Sequence, residues 1–251
     1  MTTLPNFGAI MSESQRFRRV SQPRPEFAVA IGFPTTAFLP WQTALSLART
    51  THMLAKIGVP VNIHAVAGSS LVTIARDVIA GHFLQDQEKF LFFIDSDIVW
   101  NPEDFMRILG LAAKRGIVCG AYSAKREPEE LMVTFADENS APDEEGCMEI
   151  LSTGLGFTCI RRDIFEEFAK SKTEMYHSGN GRMILDAFRL DTFERPDGIK
   201  QGRGEDGAFF ADIRSLGHKI WLDATLSLGH VGTKVYKVPL YNPEPEISPN
   251  V

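Results

Sequence analysis

Hydrophobic and polar positions along this chain alternate between two rhythms. Phe27 to Phe33 and Val61 to Val66 are short apolar runs that predict strands. Between them, Pro40 to Ile57 puts Ala44, Leu47, Ala48, Thr51 and Ala55 on one helical face, until Gly58 and Pro60 stop it. Ser69 or Ser70 then caps a second helix with Leu71, Ile74, Ala75, Val78 and Ile79 on its apolar face. Phe90 to Ile94 is apolar without a break, as expected of a parallel strand covered on both faces. Asn101-Pro102-Glu103-Asp104 opens a third helix that runs to about Lys114: Asn caps, Pro suits the first turn, and the acids complement the helix dipole. Ile117 to Ala121 predicts the next strand. The first half thus reads β-α-β-α-β-α-β, which predicts a doubly wound, mostly parallel sheet flanked by helices.

The second half is less regular. Leu131 to Phe135 and Met148 to Leu151 predict strands around an acidic loop, Asp137 to Glu145. Gly156 to Ile160 predicts another strand, and Asp163 opens a short helix. Residues 171–204 are polar and glycine-bearing, and Ser178-Gly179-Asn180-Gly181 and Gly198 to Gly204 read as mobile. Glu205 to Leu216 predicts a helix with Phe209, Ile213 and Leu216 inward, and Lys219 to Leu222 a final strand. No internal repeat interrupts this order. Residues 1–25, with Arg16, Arg18, Arg19 and Arg24, read as an arm, either a solvated tail or a weak contact to an anionic surface. The expected organisation is that arm, one domain over 26–235, and a tail at 236–251.

The bulk properties narrow the class. With 251 residues, 44% hydrophobic and 23% charged, the chain can bury a substantial core. A net charge of −6 gives no overall pull toward nucleic acid or an anionic membrane, so no nucleic-acid partner is expected. No stretch approaches the roughly 18 apolar residues of a membrane span, and the N-terminus lacks the apolar core of a secretory signal. Cys119, Cys147 and Cys159 are odd in number and form no CxxC pair, which argues against a disulfide framework or a zinc site. A reduced, cytoplasmic protein is the expectation; the oligomeric state is left open.

Three groups of residues carry candidate chemistry. Ligands bind outside the carboxyl ends of strands in an open α/β sheet, and Asp95-Ser96-Asp97 follows the most apolar strand at such an end. Two carboxylates there repel each other and lose hydration, costs that a divalent cation offsets; an acidic turn before the next helix is the plainer alternative. Gly204-Glu205-Asp206 opens the last helix, where acids also serve simply as dipole complements. Gly229-His230-Val231-Gly232 follows the last strand, and its flanking glycines allow a close backbone approach, although a lone His there is often structural.

Taken in order, the strand-DxD-helix, the helix start Gly204-Glu205-Asp206-Gly207-Ala208-Phe209 and the terminal Gly229-His230-Val231-Gly232 resemble the GT-A-fold glycosyltransferases, in particular small single-domain viral and bacterial members. The likeness covers roughly residues 27–232. It implies a GT-A α/β fold with a smaller mixed sheet in the second half. A nucleotide-binding half would span 26–122 and an acceptor half 123–235. It further implies a nucleotide-sugar donor, with UDP as the default, and a glycan or other hydroxyl-bearing acceptor. By the same resemblance Asp97 ligates Mn²⁺ or Mg²⁺ directly, Asp95 contacts the donor ribose or the metal through water, and His230 completes the metal site. A nitrogen among oxygen ligands favours Mn²⁺. Asp206, or failing it Glu205, is the implied base at the acceptor hydroxyl, with inversion at the sugar. Arg76 matches a donor-contacting position, unless it lies on a solvated helix face. Gly32, Phe33, Pro34 and Thr35 would cradle base and ribose, with Ser96 in the donor turn. Gly154 to Phe157, including Gly156, would wall the sugar or form a simple β-turn. One departure stands out: Asp77 takes a place where many relatives carry Asn, and a carboxylate against a diphosphate suggests that this helix faces elsewhere. The rival readings are a sugar-phosphate nucleotidyltransferase, against which Gly32-Phe33-Pro34-Thr35-Thr36 lacks a basic glycine-rich loop, and a non-catalytic binding module.

Overall fold

A computed structural model describes residues 27–237 except 37, 138–140, 173–174 and 178–182. In chain order the elements are β1 (Val29–Thr35), α1 (Trp41–Lys56), β2 (Val61–Ala67), α2 (Val72–Gln85), β3 (Phe90–Ile94), β4 (Ile98–Val99), α3 (Pro102–Arg115) and β5 (Ile117–Gly120). There follow β6 (Val133–Phe135), β7 (Cys147–Thr153), β8 (Phe157–Arg161), α4 (Arg162–Ser171), β9 (Met175–His177), β10 (Met183–Leu185), β11 (Asp191–Glu194) and β12 (Lys200–Arg203). The chain closes with α5 (Glu205–Ser215), β13 (Ile220–Asp223), β14 (Gly229–Val231) and β15 (Val235–Tyr236). The 1–25 arm lies outside the described residues, as does the tail beyond Tyr236 and Lys237; β15 crosses the boundary expected at 235.

One eight-stranded sheet, ordered β2-β1-β3-β8-β5-β13-β7-β6, organises the fold. Its pairings make β2, β1, β3, β5, β13 and β6 run one way and β8 and β7 the other. The mostly parallel α/β sheet expected from the sequence is observed, together with a smaller three-stranded sheet, β15-β14-β4. The unbroken apolar run of β3 is explained by its two faces. Leu91 and Phe93 join the core under α2, α4 and α5, while Phe90, Phe92 and Ile94 join the core under α1 and α3. On the second face Phe92 stacks on Phe105 at 4.3 Å and meets Phe157 edge-on at 4.8 Å. At the head of α3, Asn101 and Asp104 form a reciprocal capping box, with Pro in the first turn.

One expectation needs correction, and the strand order was left open by the sequence. The antiparallel β8 lies between β3 and β5. Residues 157–160 are buried on both faces, a pattern that says nothing about strand direction. The stretch 198–204, expected to be mobile, ends a hairpin: β11 pairs with β12, and Arg203 holds Asp191 through two bonds of 2.8 and 2.6 Å. Residues 178–181 lie outside the described residues, but β9 and β10 pair antiparallel on either side of them. Among the described residues no helix is long and apolar enough to cross a membrane. The three cysteines are buried and free, and burial pushes the thiols of Cys119 to about 12 and Cys147 to about 11.

Asp77 ties the irregular half to the sheet. Neighbouring residues on a helix diverge by about 100°, so Asp77 points away from the face that Arg76 presents. Its Oδ1 accepts the backbone N–H groups of Ala187 and Phe188 at 2.9 and 3.0 Å, and its Oδ2 accepts the Tyr176 hydroxyl at 2.8 Å. The carboxylate that looked misplaced against a diphosphate is an anchor elsewhere. Burial pushes its pKa up to about 6 against the pull of these hydrogen bonds. Asp77→Ala is expected to cost about 2–4 kcal/mol in urea unfolding, because two buried N–H groups lose their acceptor. Asp77→Asn keeps an acceptor oxygen and should stay within about 1 kcal/mol of the parent.

Candidate active site

The carboxyl ends of β1, β3 and β5 open onto a cleft of about 440 Å³, within the range of small-ligand sites. Pro34, Thr35, Arg76, Asp95, Ser96, Asp97, Glu205, Asp206 and His230, all singled out in the sequence, line it. Gly32 and Phe33 do not. Phe33 is buried among core side chains, and a Cβ at Gly32 would come within 2.6 Å of Ile79 and 3.0 Å of Phe93. The glycine therefore serves helix-to-sheet packing rather than a ligand. Gly154 lines a neighbouring hollow that shares Asp206 and Met132 with the cleft. Gly156 lies against the acid turn: its carbonyl accepts the Asp95 N–H at 2.9 Å, and a Cβ there would approach the Asp95 carboxylate to 2.6 Å.

Arg76 organises one wall. It is 1% exposed, and its guanidinium donates to Asp206, to Glu205 Oε1 at 2.8 Å and to Asp95 Oδ1 at 3.0 Å. The solvated-face alternative for this residue is thereby corrected. Burial alone would lower its pKa, but the charges of Asp206, Asp95 and Glu205 outweigh that and keep it ionised. Asp206 shows the opposite balance. Burial dominates, Glu205 and Asp95 add repulsion, and Arg76 offsets only part, so the carboxyl is pushed up to about 6.

The other wall brings Asp97 and His230 together. β14 pairs with β4, placing His230 opposite Ile98, and the Val231 N–H donates to the Asp97 carbonyl at 2.7 Å. Gly229 is required by this contact, since a Cβ would approach Val99 and Val235 to 3.2 and 2.9 Å. His230 Nδ1 lies 2.8 Å from the Ser123 carbonyl. A carbonyl only accepts, so Nδ1 carries hydrogen, and Nε2 points at Asp97 Oδ1 from 3.4 Å. That is long for a charge-assisted hydrogen bond, typically about 2.7–2.9 Å. It matches two ligands at about 2.0–2.2 Å from one shared ion. The two side chains thus face each other with room for a small shared ligand. Asp95 is turned to Arg76 and does not join Asp97 and His230 in a three-ligand grouping among the described residues.

Three contacts here were not anticipated. Lys125 donates to Asp97 Oδ2. Tyr122 stands edge-on to His230 at 5.0 Å and accepts the Gly156 N–H at 3.1 Å; burial pushes its phenol well above the usual value. Ser123 fixes the His230 tautomer through its carbonyl. All three residues follow β5, so the strand-end rule that pointed to Asp95 points equally to them. Burial works against ionisation of Asp97, but His230 and Lys125 prevail and hold it below the ordinary carboxylate range.

The chain is thus a mixed α/β protein: a sheet of this order with helices on both faces, an Asp-Ser-Asp turn after β3 and a distant His beside that turn. The sequence matches no protein-family model and no curated protein. Solved structures do match. A197 from STIV shares the fold with a TM-score of 0.50 at 20% identity, over 82% of this chain and 86% of that one. A Drosophila β1,4-galactosyltransferase 7 mutant, solved with manganese, UDP-Gal and xylobiose, gives 0.42 at 13% identity, over 86% and 71%. The 4-diphosphocytidyl-2C-methyl-D-erythritol synthase of Anaerococcus prevotii gives 0.32 at 14% identity, over 59% and 77%. At these identities the likeness is one of fold.

The Arg76 contact yields a titration test. The Asp206 carboxyl should titrate with a midpoint near 6 by carbon-detected NMR, and Arg76→Gln should move that midpoint higher, because its main lowering charge is gone. The sign for stability follows. The folded state holds this proton more tightly than the unfolded chain, so the contribution of Asp206 is full below the ordinary carboxylate pKa and is lost as pH rises through about 6. A midpoint below the usual carboxylate value would mean that Arg76, not burial, governs the group.

Proposed function

We propose that this protein is a metal-dependent glycosyltransferase. In this reading it moves a sugar from a nucleoside-diphosphate donor, with UDP as the first candidate, to an acceptor hydroxyl with inversion. The observation that carries the reading is His230 Nε2 facing Asp97 Oδ1 across 3.4 Å, with Asp206 lining the same cleft. The donor set of one imidazole and one carboxylate favours Mn²⁺ over Mg²⁺, with the remaining positions of such an ion usually filled by phosphate oxygens and water. When bound, the ion would supply Lewis-acid stabilisation of the leaving diphosphate.

The chain's own residues take the other roles. Asp97 and His230 would hold the ion, and the Ser123 carbonyl keeps His230 in the ligating tautomer. Charge supports the need for a cation. Asp95, Asp97, Glu205 and Asp206 face the cleft against Arg76 and Lys125, so a diphosphate alone meets a net negative surface. Pro34, Thr35 and Ser96 would contact the nucleoside from the ends of β1 and β3. Asp206 would take the proton of the acceptor hydroxyl, and a carboxyl near 6 is a better base at neutral pH than an ordinary one. Gly154 and Met132 line the hollow beside it, which leaves room for an acceptor. Arg76 orients Asp206 and Glu205 and keeps Asp95 turned inward.

Calorimetric titration with UDP and with GDP, each with and without Mn²⁺, tests this. One nucleotide should bind only with the metal. Asp97→Ala should abolish the metal-linked binding, whereas Asp206→Asn should preserve it and lower turnover by about 10²–10⁴-fold. Binding of neither nucleotide under any metal condition would remove the transferase reading. Equal loss of binding and turnover in Asp206→Asn would take that residue out of the base role.

A further inference from the structure

A second grouping of metal-ligating side chains lies outside the cleft, at the β2 edge of the sheet. His64 stands in the middle of β2, Asp86 caps the carboxyl end of α2, and Glu88 follows in the connection to β3. Helix α2 runs back along the sheet, so its last turn lies toward the amino ends of β2 and β3, away from Asp97 and His230. One ligand atom from each of the three side chains falls within 4.8 Å of the other two. Ligands at about 2.0–2.2 Å from one ion stand about 3–4 Å apart, so small side-chain rotations bring all three onto it.

Two further observations point inward to a ligand. The His64 side chain is only 9% exposed, and its Nε2 is buried with no hydrogen-bond partner. That nitrogen faces Asp86 Oδ2 at 3.4 Å, the same separation that His230 and Asp97 keep. Burial, the largest influence, lowers the His64 pKa against the opposing charge of Asp86. An unpartnered buried nitrogen beside a carboxylate is costly unless something bridges them. Asp86 is itself oriented, since the Asn62 amide donates to its Oδ2 at 3.0 Å, an outer-shell contact of the kind that aligns ligating carboxylates. His82, one helical turn before Asp86, lies tilted against His64 with ring centroids 5.4 Å apart.

We propose that His64, Asp86 and Glu88 form a structural divalent-metal site, separate from the cleft, that takes Zn²⁺. One imidazole with two carboxylates, its fourth position open to water, suits a tetrahedral zinc ion better than Mg²⁺ or Ca²⁺, which prefer all-oxygen, higher-coordinate shells. No cysteine takes part, which is why cysteine spacing gave no sign of it. The site would staple β2 to the α2–β3 connection. β2 is the edge strand of the large sheet and contacts only β1 there, with Ile63, Ala65 and Ala67 exposed. The ion would therefore act on an edge strand, which has a sheet partner on one side only.

The test uses the full chain, stripped with EDTA, exchanged into chelator-free buffer and titrated with ZnCl₂ by calorimetry. The expected result is a zinc-binding event that survives Asp97→Ala and is lost in His64→Gln and in Asp86→Asn. Zinc at about 100-fold over its Kd should also raise Tm by about 5–10 °C in the parent and in Asp97→Ala, and in neither of the other variants. Co²⁺ in place of zinc should give visible d–d absorption under the same dependence. Circular dichroism confirms that the variants fold, and Asp86→Asn is a second, near-isosteric probe should His64→Gln be unstable. The proposal is overturned if zinc uptake depends on Asp97, if it persists in both His64→Gln and Asp86→Asn, or if the stripped parent takes up none. Nucleotide binding in the cleft is a separate readout, so either reading can fail without the other.

Discussion

Arg76 is fully buried, and a buried guanidinium survives only where its charge is answered. Taking it out of water costs several kcal/mol, and an isolated pair often fails to recover that cost. Here three carboxylates answer it, from the end of β3 and from the first turn of α5. Those elements are about 110–130 residues apart in sequence, so the Arg76 contacts fix the spatial relation of the two halves across the cleft. The same arrangement explains why a short polar helix start can be buried at all. Glu205 and Asp206 complement the α5 dipole, as any acids there would, but their side chains converge on one cation. Remove that cation and three like charges face each other in a poorly hydrated cleft.

The second constraint is backbone pairing. His230 reaches Asp97 because β14 adds to the two-residue β4 just beyond the DxD turn, with Gly229 allowing the approach. Neither strand packs into the large sheet. Their function is positional: they hold the two ends of the domain at one point. The hydrogen bond from His230 to the Ser123 carbonyl draws in the loop after β5, and Lys125 on that loop reaches the same carboxylate. Strand ends of β3 and β5 and the β14 strand thus meet at Asp97. On the opposite wall, β3, α2 and α5 meet at Arg76.

How much of this could be read from sequence depends on the kind of signal. Long elements were legible: the four strands and three helices of the first half lie within a few residues of their expected bounds. Their buried faces were less so: α1 buries Thr43, Ser46, Thr50 and Leu54 while Ala48 and Ala55 of the expected face are exposed, as are Leu71 and Ile74 of the next. Strand order was not. Residues 157–160 are buried throughout, like β3, although Thr158 is polar, and nothing in their sequence says that the strand runs antiparallel between β3 and β5. The β11–β12 hairpin had a signal that was passed over: Arg195-Pro196-Asp197-Gly198-Ile199 is a turn sequence with a mechanism, and Gly198 adopts φ of 78°. β4, at two residues, has no periodicity to detect. Within the site, charged residues at strand ends were legible, whereas Gly32 and Phe33 were not separable into core or cleft. Only the third dimension shows that a side chain on Gly32 would strike Ile79.

The two walls differ in what they do with charge, and that difference orders the chemistry. At Arg76 the positive charge is built into the chain, permanent and shared, and burial leaves Asp206 with a raised proton affinity rather than a depressed one. At Asp97 the arrangement is the reverse: the carboxylate is held ionised, and the facing Nε2 lacks a permanent partner of its own. Lys125 answers only one oxygen of Asp97. A fixed cation at the second wall would have closed it to exchange, whereas an imidazole and a carboxylate 3.4 Å apart can pass from a shared proton to a shared ion. In the proposed reading, one wall would serve positioning and proton transfer, and the other would take a charge that arrives with the ligand. A transferase of that kind would need the second property, since a permanent positive wall would retain a diphosphate product.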